Sequence, residues 1–166
     1  MPASGKSRLV EALTAQLAAR GVDVEVLESD ALRETFTPHP RYDKEERDRF
    51  YRQITFLGVL LTKHGVPVIF DATANRRAHR DAARQAIPQF LEVYVDTPLA
   101  VCMARDPKGI YAKGRAGQAH AVPGLQTAYE PPESPEVVVH GEWEQPEAAA
   151  RKVMEKLEEK GYLSAL

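Results

Sequence analysis

The chain has 166 residues, 43% of them hydrophobic and 28% charged, which is the size and balance of a single globular domain with a substantial core. Lys and Arg number 22 against 24 Asp and Glu, so the net charge of -2 offers no overall attraction to nucleic acid or an anionic membrane. The longest apolar run, Phe56 to Thr62, is far too short to span a bilayer, and the lone Cys102 excludes an internal disulfide and suits a reducing cytoplasm.

Pro2-Ala3-Ser4-Gly5-Lys6-Ser7 reads as the end of a phosphate-binding loop running into a helix. In such loops glycine-permitted turns aim backbone N–H groups at phosphate oxygens, the lysine reaches the outer phosphates and the hydroxyl binds Mg²⁺. A bare Gly-Lys-Ser tripeptide is common by chance, so the rest of the chain must decide. The motif's first glycine would precede Met1, and the apolar strand that feeds such a loop is absent. A natural protein that begins upstream is therefore expected, with a gap in the sheet of the chain as given.

Leu9, Val10, Leu13 and Leu17 recur at helical spacing, and Gly21 supplies a stop. Val22 to Leu27 alternates like a strand and leads to Asp30, at the end of a strand where open α/β sheets place ligands. Ala31 to Phe36 predicts a short helix, and Pro38 and Pro40 a loop. Asp43 to His64 predicts a longer helix whose Arg47, Arg49 and Arg52 read by default as a solvated face. Val66 to Asp71 is an apolar strand ending in an acid, which either assists Mg²⁺ or caps the next helix, Arg76 to Ile87; the spacing does not choose. Phe90 to Asp96 is the third strand, and Pro98 starts a helix ending near Arg105. A basic stretch with Lys108, Lys113 and Arg115 then opens a long loop to Pro132, a length that suits a lid. Val137 to Val139 makes the last strand and Pro146 to Lys160 the closing helix. The alternation predicts one α/β domain over residues 1–166, of the P-loop nucleoside-triphosphate-hydrolase type: a parallel sheet flanked by helices, its first strand missing. The histidines lack metal-ligand spacing; Trp143 packs under the last helix or lies near a nucleotide base, with packing as the default; Cys102 is expected to be a core residue; and the Arg76, Arg77, Arg80 and Arg84 cluster could touch phosphate, with a solvated face as the default.

Three stretches together resemble the adenylylsulfate kinases: Tyr94 to Cys102 running on through Arg105-Asp106-Pro107-Lys108-Gly109-Ile110-Tyr111 to Gly117, with Tyr129-Glu130-Pro131-Pro132; Pro2 to Ser7; and Asp30-Ala31-Leu32-Arg33. The resemblance implies transfer of the γ-phosphate of ATP to the 3′-hydroxyl of adenylylsulfate, with Mg²⁺, in sulfate assimilation. It implies that Ala3, Ser4, Gly5 and Lys6 hold the ATP phosphates, with Arg105 near the base, and that Ser7, Asp30 and Asp71 serve Mg²⁺. Lys6 and Asp30 would be catalytic, Asp30 accepting or orienting the proton of the acceptor hydroxyl. Arg33 and Arg52 would hold the phosphosulfate, Tyr42 would stack on the acceptor's adenine, and Arg47 and Lys108 complete the acceptor side. Residues 105–132 would form the lid.

The sequence also departs from the family. Phe50 replaces a polar contact residue, Val122 replaces a stacking phenylalanine, and Asp71-Ala72-Thr73 looks more like other small P-loop kinases. A kinase with a different nucleotide or small-alcohol acceptor, and an inactive nucleotide-binding remnant, stay open as alternatives. The expected partners are small molecules, neither nucleic acid nor a membrane, with a homodimer left open.

Overall fold

Three leucines set four residues apart, Leu9, Leu13 and Leu17, lie along one face of the first helix, α1 (Lys6–Ala19), and all three are buried. The computed structural model describes residues 1–164, so the last two residues of the expected domain lie outside it. After α1 come β1 (Glu25–Glu28), α2 (Ser29–Phe36), α3 (Lys44–Lys63), β2 (Val68–Asp71), α4 (Arg77–Ala86), β3 (Val93–Asp96), α5 (Leu99–Arg105), α6 (Ile110–Arg115), β4 (Val137–His140) and α7 (Pro146–Glu159). The predicted elements recur with ends shifted by a few residues. Asp43 caps α3, its carboxylate accepting from the Glu46 N–H. The exception is α6, hidden in the predicted loop because its six residues carry only Ile110 and Tyr111 as an apolar signal.

The strands are parallel, as the alternation predicts, but among the described residues they form two separate pairs. Glu25 to Glu28 of β1 run beside Val68 to Asp71 of β2, and Val93 to Asp96 of β3 beside Val137 to His140 of β4. The predicted sheet is thus divided between β2 and β3. The halves share one core nevertheless. Ile69 from the first pair and Val93, Val95, Val137 and Val139 from the second pack with the α1 leucines and with Ala149, Ala150, Val153 and Met154 of α7. The small alanines let α7 approach α1 closely, and Arg20 pairs with Glu158 at 2.5 Å where the two helices finish. No described helix is long and apolar enough to cross a membrane.

Two smaller clusters flank the ends of the strands. Phe50, Tyr51 and Ile54 of α3 pack with Leu32, Phe36 and Phe70, while Cys102, Tyr111 and Val122 join α5, α6 and the following loop. Cys102 is fully buried, as expected of a small core residue, and burial pushes its thiol pKa up. Glu28 and Asp71 end the first pair, and one cavity joins them to Val95 and Gly141, next to the ends of β3 and β4, and to Lys6 at the start of α1.

Candidate nucleotide and acceptor site

Gly5 has φ 105°, a conformation an L-side chain rarely adopts, and it ends the loop as the N-cap of α1. Ala3 shares the left-handed region at φ 57°. The turn is clamped from outside: Ser4 is buried and its carbonyl accepts from Thr97 Oγ1 at 2.8 Å, while the Pro2 carbonyl accepts from the Tyr111 hydroxyl at 3.0 Å. The loop after β4 presses on the same turn. A Cβ on Gly141 would fall inside contact distance of the Ser4 carbonyl and of Thr97 Oγ1.

This loop opens on a cavity of about 510 Å³ whose walls include Ser4, Lys6, Asp30, Asp71, Arg105 and Lys108. Lys6 is half-buried. Burial lowers its ammonium pKa, while the nearby carboxylates Asp71 and Asp30 act in the opposite direction. Ser7 donates its hydroxyl to Asp71 Oδ2 at 2.8 Å, and Asp71 is buried. The capping alternative for Asp71 is thereby resolved: α4 begins after Arg76, and Asp71 faces the phosphate loop instead. Asp30, near the start of α2, accepts from Lys108 Nζ at 2.6 Å, and this pair raises the lysine pKa. The Ser7 hydroxyl and the Asp30 and Asp71 carboxylates are hard oxygen donors around one lysine, a set that suits Mg²⁺ with water completing its shell.

On the α2 and α3 side, Arg33 is buried with its guanidinium 3.9 Å from the Phe50 ring centroid and 5.2 Å from that of Tyr42. Phe50, fully buried, therefore serves as a floor for Arg33. Arg47 is buried too, against the expectation of a solvated face. Its Nε donates to the Tyr42 carbonyl at 3.0 Å, Nη1 to Asn75 Oδ1 at 3.3 Å and Nη2 to the Ala121 carbonyl at 2.6 Å. Tyr42 and Ala121 both hold positive φ, 58° and 57°, so one arginine fixes two strained turns. Asn75, which sequence reasoning passed over, is 1% exposed. Its Nδ2 donates to the Ala128 carbonyl and its own carbonyl accepts from the Glu130 N–H, which ties the 121–130 segment to α3. An amide in a Thr-Ala-Asn-Arg turn gives no such signal in sequence.

The structure does not bring Arg52 to this site. Five residues beyond Arg47, it emerges on the other side of α3 and lines a separate groove with Phe36, Arg49 and Phe56. The arginines of α4 are likewise not a free solvated face. Arg80 donates to Glu92, Ala74 and Glu130, Arg84 bonds Glu136 at 2.6 and 2.9 Å, and Arg76 bonds Asp48 at 2.9 Å. Trp143 is 67% exposed, which overturns its expected packing. Arg105 donates to the Gly141 carbonyl at 2.8 Å and the Glu142 carbonyl at 3.3 Å, on the turn that carries Trp143.

A phosphate loop at the head of a helix, acids at neighbouring strand ends and a lysine-bearing loop across the cavity define a P-loop phosphotransferase of α/β architecture. Comparison with known proteins narrows the class. The family model described as adenylylsulphate kinase matches residues 1–140. An adenylyl-sulfate kinase of Microcystis aeruginosa is 42% identical over 160 residues, covering 96% of this chain and 88% of that protein. One from Gloeothece citriformis is 40% identical over 160 residues, covering 96% and 91%. Among solved structures, the Mycobacterium tuberculosis APS kinase CysC in complex with AMPPNP and APS is 30% identical, with TM-score 0.88 over 95% of this chain and 93% of that one. The chain belongs to the adenylylsulfate kinase family.

Proposed function

We infer that the chain transfers the γ-phosphoryl group of ATP to the 3′-hydroxyl of adenylylsulfate, giving 3′-phosphoadenylylsulfate and ADP. The observation that carries this reading is that Lys6, Asp30 and Asp71 line one cavity at the head of α1, in a chain of this family. In the transfer a bond forms between the acceptor oxygen and the γ-phosphorus while the bond from that phosphorus to the bridging oxygen of ADP breaks. The acceptor proton leaves to the Asp30 carboxylate, directly or through water. Lys108 Nζ bonds Oδ2 of Asp30 at 2.6 Å, which leaves Oδ1 to receive the proton.

The protein's share of the chemistry is alignment and positive charge rather than covalent bonding. The N–H groups of the loop and the Lys6 ammonium hold the ATP phosphates. Ser7, Asp71 and Asp30 are the residues that would hold Mg²⁺, which supplies further neutralisation of the phosphate charge. Arg33 supports the anionic acceptor: its Nη1 is buried beside the cation–π stack, 3.8 Å from the Glu46 carboxylate and with no hydrogen-bond partner among the described residues. Tyr42 offers a ring 37% exposed to the acceptor's base, and Arg47 acts by holding Tyr42 in place. Arg52 takes no part.

The test is ATP- and Mg²⁺-dependent formation of 3′-phosphoadenylylsulfate by the full chain, measured by a coupled assay and lost in Lys6→Ala and Asp30→Asn. Absence of any adenylylsulfate-dependent ADP release sinks the reading. One observation favours a second: Val122, which stands where the family stacks a phenylalanine, is 3% exposed and committed to the core with Cys102 and Tyr111. ADP release with another nucleotide or alcohol, and none with adenylylsulfate, would establish that alternative acceptor.

A further inference from the structure

Three non-glycine residues with positive φ surround the acceptor side: Tyr42 and Ala121, both held by Arg47, and Ala74 at 39°. An alanine keeps such a conformation only where its surroundings impose it. Both peptide groups of Ala74 are held. Its N–H donates to the Tyr51 hydroxyl at 2.8 Å, and its carbonyl accepts from Arg80 Nη1 at 2.5 Å. The Tyr51 ring is in turn fixed. It is buried, stacks on His79 at 4.3 Å between centroids and 20° between planes, and meets Phe50 edge-on at 5.5 Å and 76°. His79 is anchored by Asp48, whose Oδ1 lies 2.7 Å from its Nε2.

A phenylalanine would fill the same ring contacts, so packing alone gives no reason for the hydroxyl. Burial pushes the phenol pKa up against the pull of the Ala74 N–H, Arg33 and Arg47, so the hydroxyl meets that N–H as a neutral acceptor. The turn that it holds serves two places. Ala72 and Ala74 pack on the cluster of Phe50, Tyr51 and Ile54, while Thr73 between them belongs to the cavity wall with Lys6, Asp30 and Asp71. Asn75 follows and accepts from Arg47 Nη1, and Arg47 holds the carbonyl of Tyr42, the ring assigned above to the acceptor's base. A rotation of the Ala74 peptide therefore moves Thr73 in the cavity and Asn75 beneath Arg47 together. The phosphate loop has separate clamps in Thr97, Tyr111 and the turn at Gly141.

We propose that Tyr51 is a positioning residue of the acceptor site, its hydroxyl locking the Ala74 turn that sets Thr73 in the cavity wall and Asn75 beneath Arg47. Tyr51 acts through these two residues. The assignment rests on the kinase reading above and adds what holds the acceptor side in shape before the acceptor binds, so that binding need not order it.

The test is steady-state ADP release by the full chain, with ATP and adenylylsulfate varied independently. Tyr51→Phe keeps the ring and removes the hydroxyl. It should raise KM for adenylylsulfate roughly ten-fold and leave KM for ATP in place. Adding Ala74→Gly to Tyr51→Phe should return KM for adenylylsulfate most of the way to the parent value, because glycine takes φ 39° without a Cβ clash. Ala74→Gly alone should leave both constants near those of the parent. A phenol that only fills space predicts neither the split between the two constants nor the rescue by glycine. An unchanged KM for adenylylsulfate in Tyr51→Phe, an equal rise in both constants, or no recovery in the double variant overturns the assignment and leaves the kinase reading standing. No adenylylsulfate-dependent ADP release by the parent chain overturns both.

Discussion

Around Lys6 the polar geometry is made by consecutive backbone groups: a left-handed Gly5, the clamped carbonyls of Pro2 and Ser4, and the first turn of α1. Around Arg47 it is made by side chains drawn from α3, the turn at Asn75 and the 121–130 segment, meeting across long stretches of sequence. The first half suits a ligand of fixed chemistry, because each residue from Ala3 to Ser7 supplies an N–H whatever its side chain. The second can be recut for a new acceptor by changing single side chains. The departures at Phe50 and Val122 fall there, whereas Asp71 to Thr73 lies against the phosphate loop. The difference predicts that substitutions in the first half reduce turnover with little loss of stability, while those in the second loosen the fold and acceptor binding together.

The largest expected effect tests the first half. Lys6→Ala should lower kcat by about 10² to 10³-fold, the scale seen when one donor to a developing charge is removed. Its thermal midpoint should hold, since Lys6 makes one long 3.5 Å hydrogen bond, to the Met1 carbonyl. A large fall in melting temperature would erase the distinction between the halves. Next, Arg47→Ala should cost about 3 kcal/mol in urea unfolding, because three acceptors lose a charged donor and two of them lie on strained turns. Its KM for the acceptor should rise more than its KM for ATP. Asn75→Ala should repeat this more weakly, and steady-state kinetics with both substrates varied separates the two constants.

Gly141→Ala asks whether the loop's clamp matters as much as the loop. Its methyl group meets the Ser4 backbone, which cannot swing aside as a side chain can, so a loss of about 1 to 3 kcal/mol is expected together with a raised KM for ATP. The smallest effect concerns the frame beneath both halves. Hydrogen bonds from Arg84 hold the Glu136 carboxyl at about 2, below its ordinary 4.5. A depressed folded-state pKa contributes stability above pH 4.5 that is lost as pH falls from there toward 2. Glu136→Gln should therefore lower the unfolding free energy measured in urea at pH 7 by about 1 kcal/mol, solvent screening of the pair included, and flatten its decline between about pH 5 and about pH 3. Activity ratios between the two substrates should stay as in the parent chain.

The sequence by itself determined what depends on neighbours along the chain. Leucines at helical spacing gave α1, the Asp43 cap gave the start of α3, acids ending apolar runs gave the strand ends, and Gly5-Lys6-Ser7 gave the phosphate loop. The segment from Tyr94 to Gly117, together with the phosphate loop, was enough to indicate the family. Only the tertiary structure decided which partner each long or ambiguous side chain meets. Asp71 could cap α4 or face Ser7, and it faces Ser7. Arg47 and Arg52 look alike as charges on one helix, yet 3.6 residues per turn sends the first inward to three acceptors and the second to the outer groove. Trp143 was expected to be covered, and the turn pinned by His140 and Glu144 holds it open instead. The physical reason is common to all three. Periodicity and capping act over a few residues, whereas a side chain's partner is chosen by elements that the fold brings together from tens of residues away.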